Sequence, residues 1–189
     1  MSQLFYDFAL TVQEHGTIWF VTLVLIVAAV IDGFELKVPN WITYPFVLGG
    51  LAFGGMTGGW EGLGWSLVGM MVGLLLLLPA YAIGGMGAGD VKLLAGVGTW
   101  VWVNHTVNAF CWSAVIGAVM AVLMVVARRA WKHHHDQFWM ILNEILVVKN
   151  PEALAAIAAE RKPRMMLLPY GIPIAVGTIS YFLWMGLLV

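Results

Sequence analysis

Long runs of apolar residues without any charge dominate this sequence. One extends from Thr17 to Ile31, and others follow at intervals along the chain. Apolar residues make up 61% of the 189 positions and charged residues only 10%. Because a helix needs about 20 apolar residues to cross a bilayer, the sequence predicts an all-α polytopic membrane protein with six transmembrane helices. We expect one transmembrane domain over residues 1–189.

Glycine, proline and polar clusters separate the predicted spans. The six spans are expected at about 16–31, 41–56, 63–83, 90–103, 107–127 and 165–189. Gly69 and Gly73 give the third span a small-residue face that allows close packing, and the short fourth span suits the interior of a bundle. The polar insertion from Asp136 to Arg164 keeps apolar residues at helical spacing, which predicts an interfacial helical loop between helices 5 and 6.

The basic residues give the predicted bundle an orientation. With six spans, every lysine and arginine falls on one side of the membrane: Lys37, Lys92, Arg128, Arg129, Lys132, Lys149, Arg161, Lys162 and Arg164. The positive-inside rule makes this side cytoplasmic and places both termini outside.

Composition excludes several classes of function. The net charge of −1 and the absence of a nucleic-acid motif argue against binding to nucleic acid. A single cysteine, Cys111, excludes an intrachain disulfide and a CxxC zinc site. The tract His133–His135 carries metal-ligand side chains, but no carboxylate or cysteine stands at ligand spacing, so we interpret it as a solvated loop. We therefore predict no metal and no cofactor.

A glycine-rich stretch, 84–92, places a carboxylate and an ammonium between two apolar runs. Asp90 is the first functional candidate, because ionisable residues at membrane depth usually line a cavity, a proton path or a reaction site. The glycines before it allow another backbone to approach closely. The alternative is an ordinary turn whose aspartate caps the following helix.

Asp32 lies at the same predicted depth as Asp90, near the cytoplasmic end of helix 1. Two carboxylates facing each other in a partly dry site share a proton and titrate as a pair. Such a pair can hydrolyse an amide, with one member as base and the other as acid. The alternative is two unrelated carboxylates, each capping a helix or pairing with Lys37 or Lys92.

Three motifs occur in order along the chain. They are Asp32 with Val38-Pro39-Asn40-Trp41-Ile42-Thr43, then Gly87-Ala88-Gly89-Asp90-Val91-Lys92-Leu93, then Pro169-Tyr170-Gly171-Ile172-Pro173. Together they resemble the type IV prepilin peptidases, which are intramembrane aspartyl proteases of the G-x-G-D class. The chain lacks the paired-cysteine loop of the methylating members, so it looks like the short peptidases of tight-adherence (Flp pilus) systems.

The resemblance implies a function and a set of site residues. It implies removal of a short basic leader from prepilins or pseudopilins, after a glycine, at the cytoplasmic face of the bacterial inner membrane. The catalytic aspartates fall on Asp32 and Asp90. Substrate-binding roles are expected for Gly87, Gly89, Lys37, Pro39, Asn40, Lys92, Pro169, Tyr170 and Gly171.

Two other readings share the same aspartates. A small proton- or cation-coupled transporter would load and release ions at Asp32 and Asp90 beside broken helices. No inverted repeat between the two halves supports it. A presenilin-type protease would share the G-x-G-D motif, but the Val38-Pro39-Asn40 segment and the helix-end position of Asp32 argue against it.

Overall fold

The fold of the chain is given by a computed structural model that describes residues 2–82, 85–127 and 169–188. These residues form four helices: α1 (Ser2–Glu35), α2 (Asn40–Ala82), α3 (Ala88–Ala127) and α4 (Gly171–Trp184). Within these ranges the structure is all-helical, as predicted. The predicted interfacial loop, the tract His133–His135 and Gly84 lie outside the described residues.

Three helical segments in the described ranges are long and apolar enough to cross a membrane. They are His15–Glu35, Asn40–Ala82 and Ala88–Met124, and α4 adds a shorter apolar helix. Leu23, Leu48 and Val115 are among the apolar side chains that face outward along these helices. By length and composition, the chain is therefore a multi-pass membrane protein.

Helix α2 reverses direction at Gly59, whose φ of 58° and ψ of −143° are not helical. A Cβ atom built on Gly54 would lie 2.9 Å from the carbonyl oxygen of Gly62 and 3.1 Å from Cβ of Ser66. In a straight helix, at 1.5 Å per residue, Gly54 and Gly62 would stand about 12 Å apart. The two halves of α2 therefore fold back on each other, and the break lies inside the turn predicted at 57–62.

Helix α3 is interrupted at Trp102, which adopts a φ of 60° and a ψ of −171°. The Thr106 hydroxyl donates a hydrogen bond to the Trp102 carbonyl just beyond the break. The sequence predicted a turn at 104–106, after a fourth span ending at residue 103. The break occurs one residue before that end, and its residue is a tryptophan, which turn propensities do not indicate.

The first half of α3 lies at the centre of the bundle. Leu93, Leu94 and Val97 are fully buried. A Cβ atom on Gly73 of α2 would lie 2.5 Å from the Leu94 carbonyl oxygen, so only glycine permits this approach of the two backbones. The predictions of a close-packing face at Gly69 and Gly73 and of a short interior helix are both confirmed.

Helix α1 presents one buried stripe to the bundle and packs mainly against α4. Val21, Leu25 and Ala28 are fully buried, and Asp32 continues the same row with 1% exposure. The spacing of four, three and four residues is that of one face of a helix. The apolar stripe of α1 thus carries a carboxylate at its C-terminal end, directed inward.

Candidate active site

Asp32 is held by the start of α4. Its Oδ2 atom accepts a hydrogen bond of 2.7 Å from the backbone N–H of Gly171, the first residue of that helix. The first N–H groups of a helix have no partner within the helix, and its positive dipole end attracts a carboxylate. Asp32 therefore satisfies a helix terminus that lies 139 positions away in the sequence.

Asp90 lies in the first turn of α3 and is 4% exposed. Its Oδ2 atom accepts a hydrogen bond of 3.0 Å from the N–H of Gly87, just before the helix. An acidic residue in this position that reaches back to the N–H before the helix forms half of a capping box. Asp90 therefore does cap the start of α3, as the alternative interpretation proposed. Its side chain is also deeply buried, which is compatible with a reaction site.

Tyr170 and Gly171 form a short segment at the start of α4, with Tyr170 as the cap residue. The backbone N–H of Gly171 donates to Oδ2 of Asp32. The Tyr170 ring lies against the second half of α3, where a Cβ atom on Gly117 would be 2.9 Å from the ring. The segment thus joins Asp32 to the second half of α3, and a role of Tyr170 and Gly171 in substrate binding stays a prediction.

The buried pair of carboxylates suits acid–base chemistry on a substrate. A carboxylate at this depth is stable only with hydrogen bonds or a partner charge, and each aspartate receives a backbone N–H. Within residues 15–82, 85–124 and 169–188, no group of three histidine, cysteine or acidic side chains is placed to bind a metal ion.

The glycine stretch was predicted to offer its backbone to an extended substrate. In the structure, the N–H of Gly85 donates to the Ala80 carbonyl at 2.9 Å, and the N–H of Gly87 donates to Asp90. Two of the expected donors are therefore already engaged within the chain. Any pairing of a substrate with these two residues must use their carbonyl oxygens.

Gly89 is required by packing within the chain. A Cβ atom on Gly89 would lie 2.5 Å from the carbonyl oxygen of Val38 and 3.1 Å from its backbone nitrogen. The backbone that approaches Gly89 is thus the loop between α1 and α2. Among the described glycines only Gly59 and Gly186 have a positive φ, so Gly89 is required by close packing and not by a left-handed backbone.

Lys92 joins the start of α3 to the start of α2. Its ammonium donates hydrogen bonds to Oδ1 of Asn40 at 2.9 Å and to the hydroxyl of Tyr44 at 3.2 Å, and it lies 4.7 Å from the centre of the Tyr44 ring. Asn40 is the first residue of α2, and its side-chain oxygen is directed to Lys92. Tyr44 was not predicted, although its position four residues after Asn40 places it on the same face of α2.

Within the described parts of the chain, the ion pair of Lys37 and the hydrogen bonds of Pro39 are local. Lys37 forms a 3.6 Å ion pair with Glu35, and both side chains are mostly exposed. Exposed ion pairs of this kind contribute little to stability. The carbonyl of Pro39 accepts hydrogen bonds from the N–H groups of Ile42 and Thr43 and so starts α2. A role of either residue in substrate binding stays a prediction.

Comparison of the sequence with models of protein families shows to which family the chain belongs. A model described as the type IV leader peptidase family matches residues 19–122, which is more than half of the chain and includes both aspartates. The chain belongs to the type IV leader peptidase family. The matched region ends before α4, so the segment that donates to Asp32 lies outside it.

The chain is also similar in sequence to several curated proteins. The prepilin leader peptidase/N-methyltransferase of Aeromonas hydrophila is 32% identical over 61% of this chain and 41% of its own length. Proteins of the same name are 31% identical in Neisseria gonorrhoeae, over 64% and 46%, and 32% identical in Bacillus subtilis, over 66% and 50%. The chain thus spans about half the length of these relatives or less. No solved structure gives a significant match.

We expect Gly89→Val to inactivate this chain. The new side chain would collide with the Val38 backbone, and overpacking of this kind costs about 1–3 kcal/mol and moves the first turn of α3 with Asp90. Cleavage of a prepilin and thermal unfolding should be measured together. Ala88→Val is the matched control, because residue 88 is exposed and already carries a Cβ atom. Full activity of a well-folded Gly89→Val protein would contradict this expectation.

Lys92→Met should lower the free energy of unfolding by about 1 kcal/mol, because it removes two hydrogen bonds that link α2 to α3. Cleavage should fall less than in variants of the aspartates, since Lys92 positions helices and does not touch the carboxylates in the described contacts. Lys37→Met is the control and should change stability by less than about 0.5 kcal/mol. If the two variants had the same thermal unfolding temperature, Lys92 would not stabilise the contact between α2 and α3.

Proposed function

We propose that this chain is an aspartyl endopeptidase that removes the short basic leader of prepilins or pseudopilins after a glycine. The observation that carries the proposal is the pair of buried aspartates, Asp32 and Asp90, each at a helix end and each accepting a backbone N–H, inside a chain of this family. The relatives bear the name prepilin leader peptidase, which supports the substrate class.

The reaction needs one ionised and one protonated carboxyl group. The ionised aspartate accepts a proton from water, and the resulting hydroxide attacks the scissile carbonyl carbon. The protonated aspartate donates a hydrogen bond to the carbonyl oxygen and later a proton to the leaving amine. The products are a leader with a free carboxylate and a pilin with a new N-terminus. This chemistry uses no cofactor.

We further propose six membrane crossings with both termini outside and the aspartates near the cytoplasmic face. The reversals at Gly59 and Trp102 support this topology, because they divide α2 and α3 into two segments each. Lys37 and Lys92 occur at the same end of the bundle as the aspartates, and the positive-inside rule makes that end cytoplasmic. A basic leader entering from the cytoplasm would reach the carboxylates without crossing the bilayer.

The substrate must meet the aspartates in an extended form, because a helical peptide bond is shielded by its own hydrogen bonds. We propose that the segments at Gly87 and at Pro169–Gly171 flank the scissile bond, since both touch a carboxylate. A glycine before the cut would let the carbonyl approach both aspartates. The N-methyltransferase activity in the names of the relatives is not part of this proposal.

The test is cleavage of a synthetic prepilin by the purified chain in a nonionic detergent. The peptide carries a basic leader, a glycine and an apolar helix, and mass spectrometry locates the cut. We expect a single cut after the glycine. The control peptide has valine in place of that glycine and should be cleaved at least about tenfold more slowly. No cleavage by folded protein, or a cut elsewhere, would refute the proposed function.

A further inference from the structure

A second site lies far from the aspartates. A cavity of about 650 Å³ is lined by Thr17 of α1 and by residues around the breaks of α2 and α3. Thr17 precedes Asp32 by fifteen positions on the same helix, which corresponds to about 22 Å. The cavity therefore opens at the opposite end of the bundle and has no part in the chemistry proposed for the carboxylates.

The lining of this cavity combines indole rings with a single negative charge. Trp65, Trp100 and Trp102 contribute to its walls, and Glu61 is the only lining residue with a formal charge. The lysines of the described ranges, Lys37 and Lys92, both occur at the other end of the bundle. In those same ranges, no side chain forms an ion pair with Glu61.

The other groups of the cavity are fixed by contacts within the chain. Nε1 of Trp100 donates to the Phe46 carbonyl at 2.9 Å, and Nδ1 of His105 lies 2.7 Å from the Tyr181 hydroxyl. Trp65 and Trp102 are each about half exposed, at 50% and 49%. These two rings and the Glu61 carboxylate are among the lining groups that are accessible to a ligand.

Trp102 lies at the break of α3 and lines the cavity. Its φ of 60° is unusual for a residue with a side chain, and such strain persists only where the surroundings hold it. A glycine at this break would avoid the strain. The strained backbone instead places an indole ring on the wall of the cavity.

We propose that this cavity binds an organic cation with a primary or quaternary ammonium group. An indole face attracts such a cation through its quadrupole, and Glu61 supplies the opposite charge. The headgroup of a zwitterionic phospholipid and a free amine share this chemistry. The inference is independent of the proposed peptidase activity, because none of the cavity residues contacts the aspartates.

The experiment is equilibrium dialysis of the full chain, in a nonionic detergent, against labelled tetramethylammonium at constant ionic strength. We expect saturable binding that Glu61→Gln and Trp65→Leu each weaken by about tenfold. Trp60→Leu is the matched control, because Trp60 is 89% exposed and does not line the cavity. Circular dichroism checks that each variant is folded. Absence of saturable binding, or equal binding by folded Glu61→Gln protein, would overturn the proposal.

A second pair of measurements distinguishes the two sources of the ammonium group. The same dialysis is run in nanodiscs of phosphatidylethanolamine and in nanodiscs of digalactosyldiacylglycerol, which is uncharged and lacks an ammonium group. Weaker tetramethylammonium binding in phosphatidylethanolamine shows that the lipid headgroup competes for the cavity. Equal binding in the two lipids assigns the cavity to a free amine.

Discussion

Asp32→Asn and Asp90→Asn should each abolish leader cleavage while leaving the protein folded. Asparagine keeps an oxygen that accepts the N–H of Gly171 or of Gly87, so both helix caps can survive the substitution. It cannot accept or donate the proton that the reaction moves. Loss of a general acid or base costs about 10²–10⁴ in rate, and the measurement is cleavage of a prepilin by the purified variant.

Glu35→Gln is the matched control for these variants. Glu35 lies three residues after Asp32 and carries the same charge, but its side chain is about half exposed and pairs with Lys37. Cleavage by this variant should stay within about twofold of the parent protein, since exposed substitutions rarely matter. Near-normal cleavage by either aspartate variant would show that the buried pair is not the catalytic machinery.

The sequence was sufficient to single out Asp32 and Asp90, which are buried in the structure, and to predict turns close to the breaks at Gly59 and Trp102. Asp32 and Asp90 were recognised because charge between apolar runs is rare, and Gly59 lies in a cluster of turn residues. Charge between apolar runs and clusters of turn residues are local features, and they can be recognised without knowledge of how the helices pack.

The contacts that shape the site could not be predicted in the same way. The N–H of Gly171 meets a carboxylate 139 positions away, and Lys92 meets Asn40 across 52 positions. Periodicity tells which face of a helix is buried but not which helix covers it. The partner of each carboxylate depends on the packing of the whole bundle, which one sequence does not specify without a structure.

The glycines illustrate the same limit. Gly89 was interpreted as a place where a substrate backbone approaches, and close approach was the correct physical idea. The backbone that approaches is the chain's own loop at Val38. Trp102 shows a different limit. It has a positive φ at a helix break, and neither composition nor turn propensity predicts a tryptophan in that conformation.

Gly171→Ala should reduce kcat/KM by about a hundredfold, because an added methyl group would displace the Asp32 carboxylate. A Cβ atom on Gly171 would lie 2.8 Å from Oδ2 and 3.0 Å from Cβ of Asp32, closer than such atoms pack. Misplacement of a reacting group by about 1 Å costs about 10²-fold in rate. The measurement is steady-state cleavage of a prepilin, with thermal unfolding recorded on the same preparation.

Gly33→Ala separates this effect from a general cost of changing a glycine near Asp32. A Cβ atom on Gly33 would meet only the terminal Cδ1 atom of Ile172, at an ordinary 3.5 Å. That variant should keep its activity within about twofold, as expected for a substitution without a steric conflict. The Gly171→Ala protein could instead cleave the prepilin as fast as the Gly33→Ala protein, with unchanged thermal stability. The close contact between Gly171 and Asp32 would then not determine the position of the carboxylate. The start of α4 would then cap the carboxylate without aligning it for catalysis.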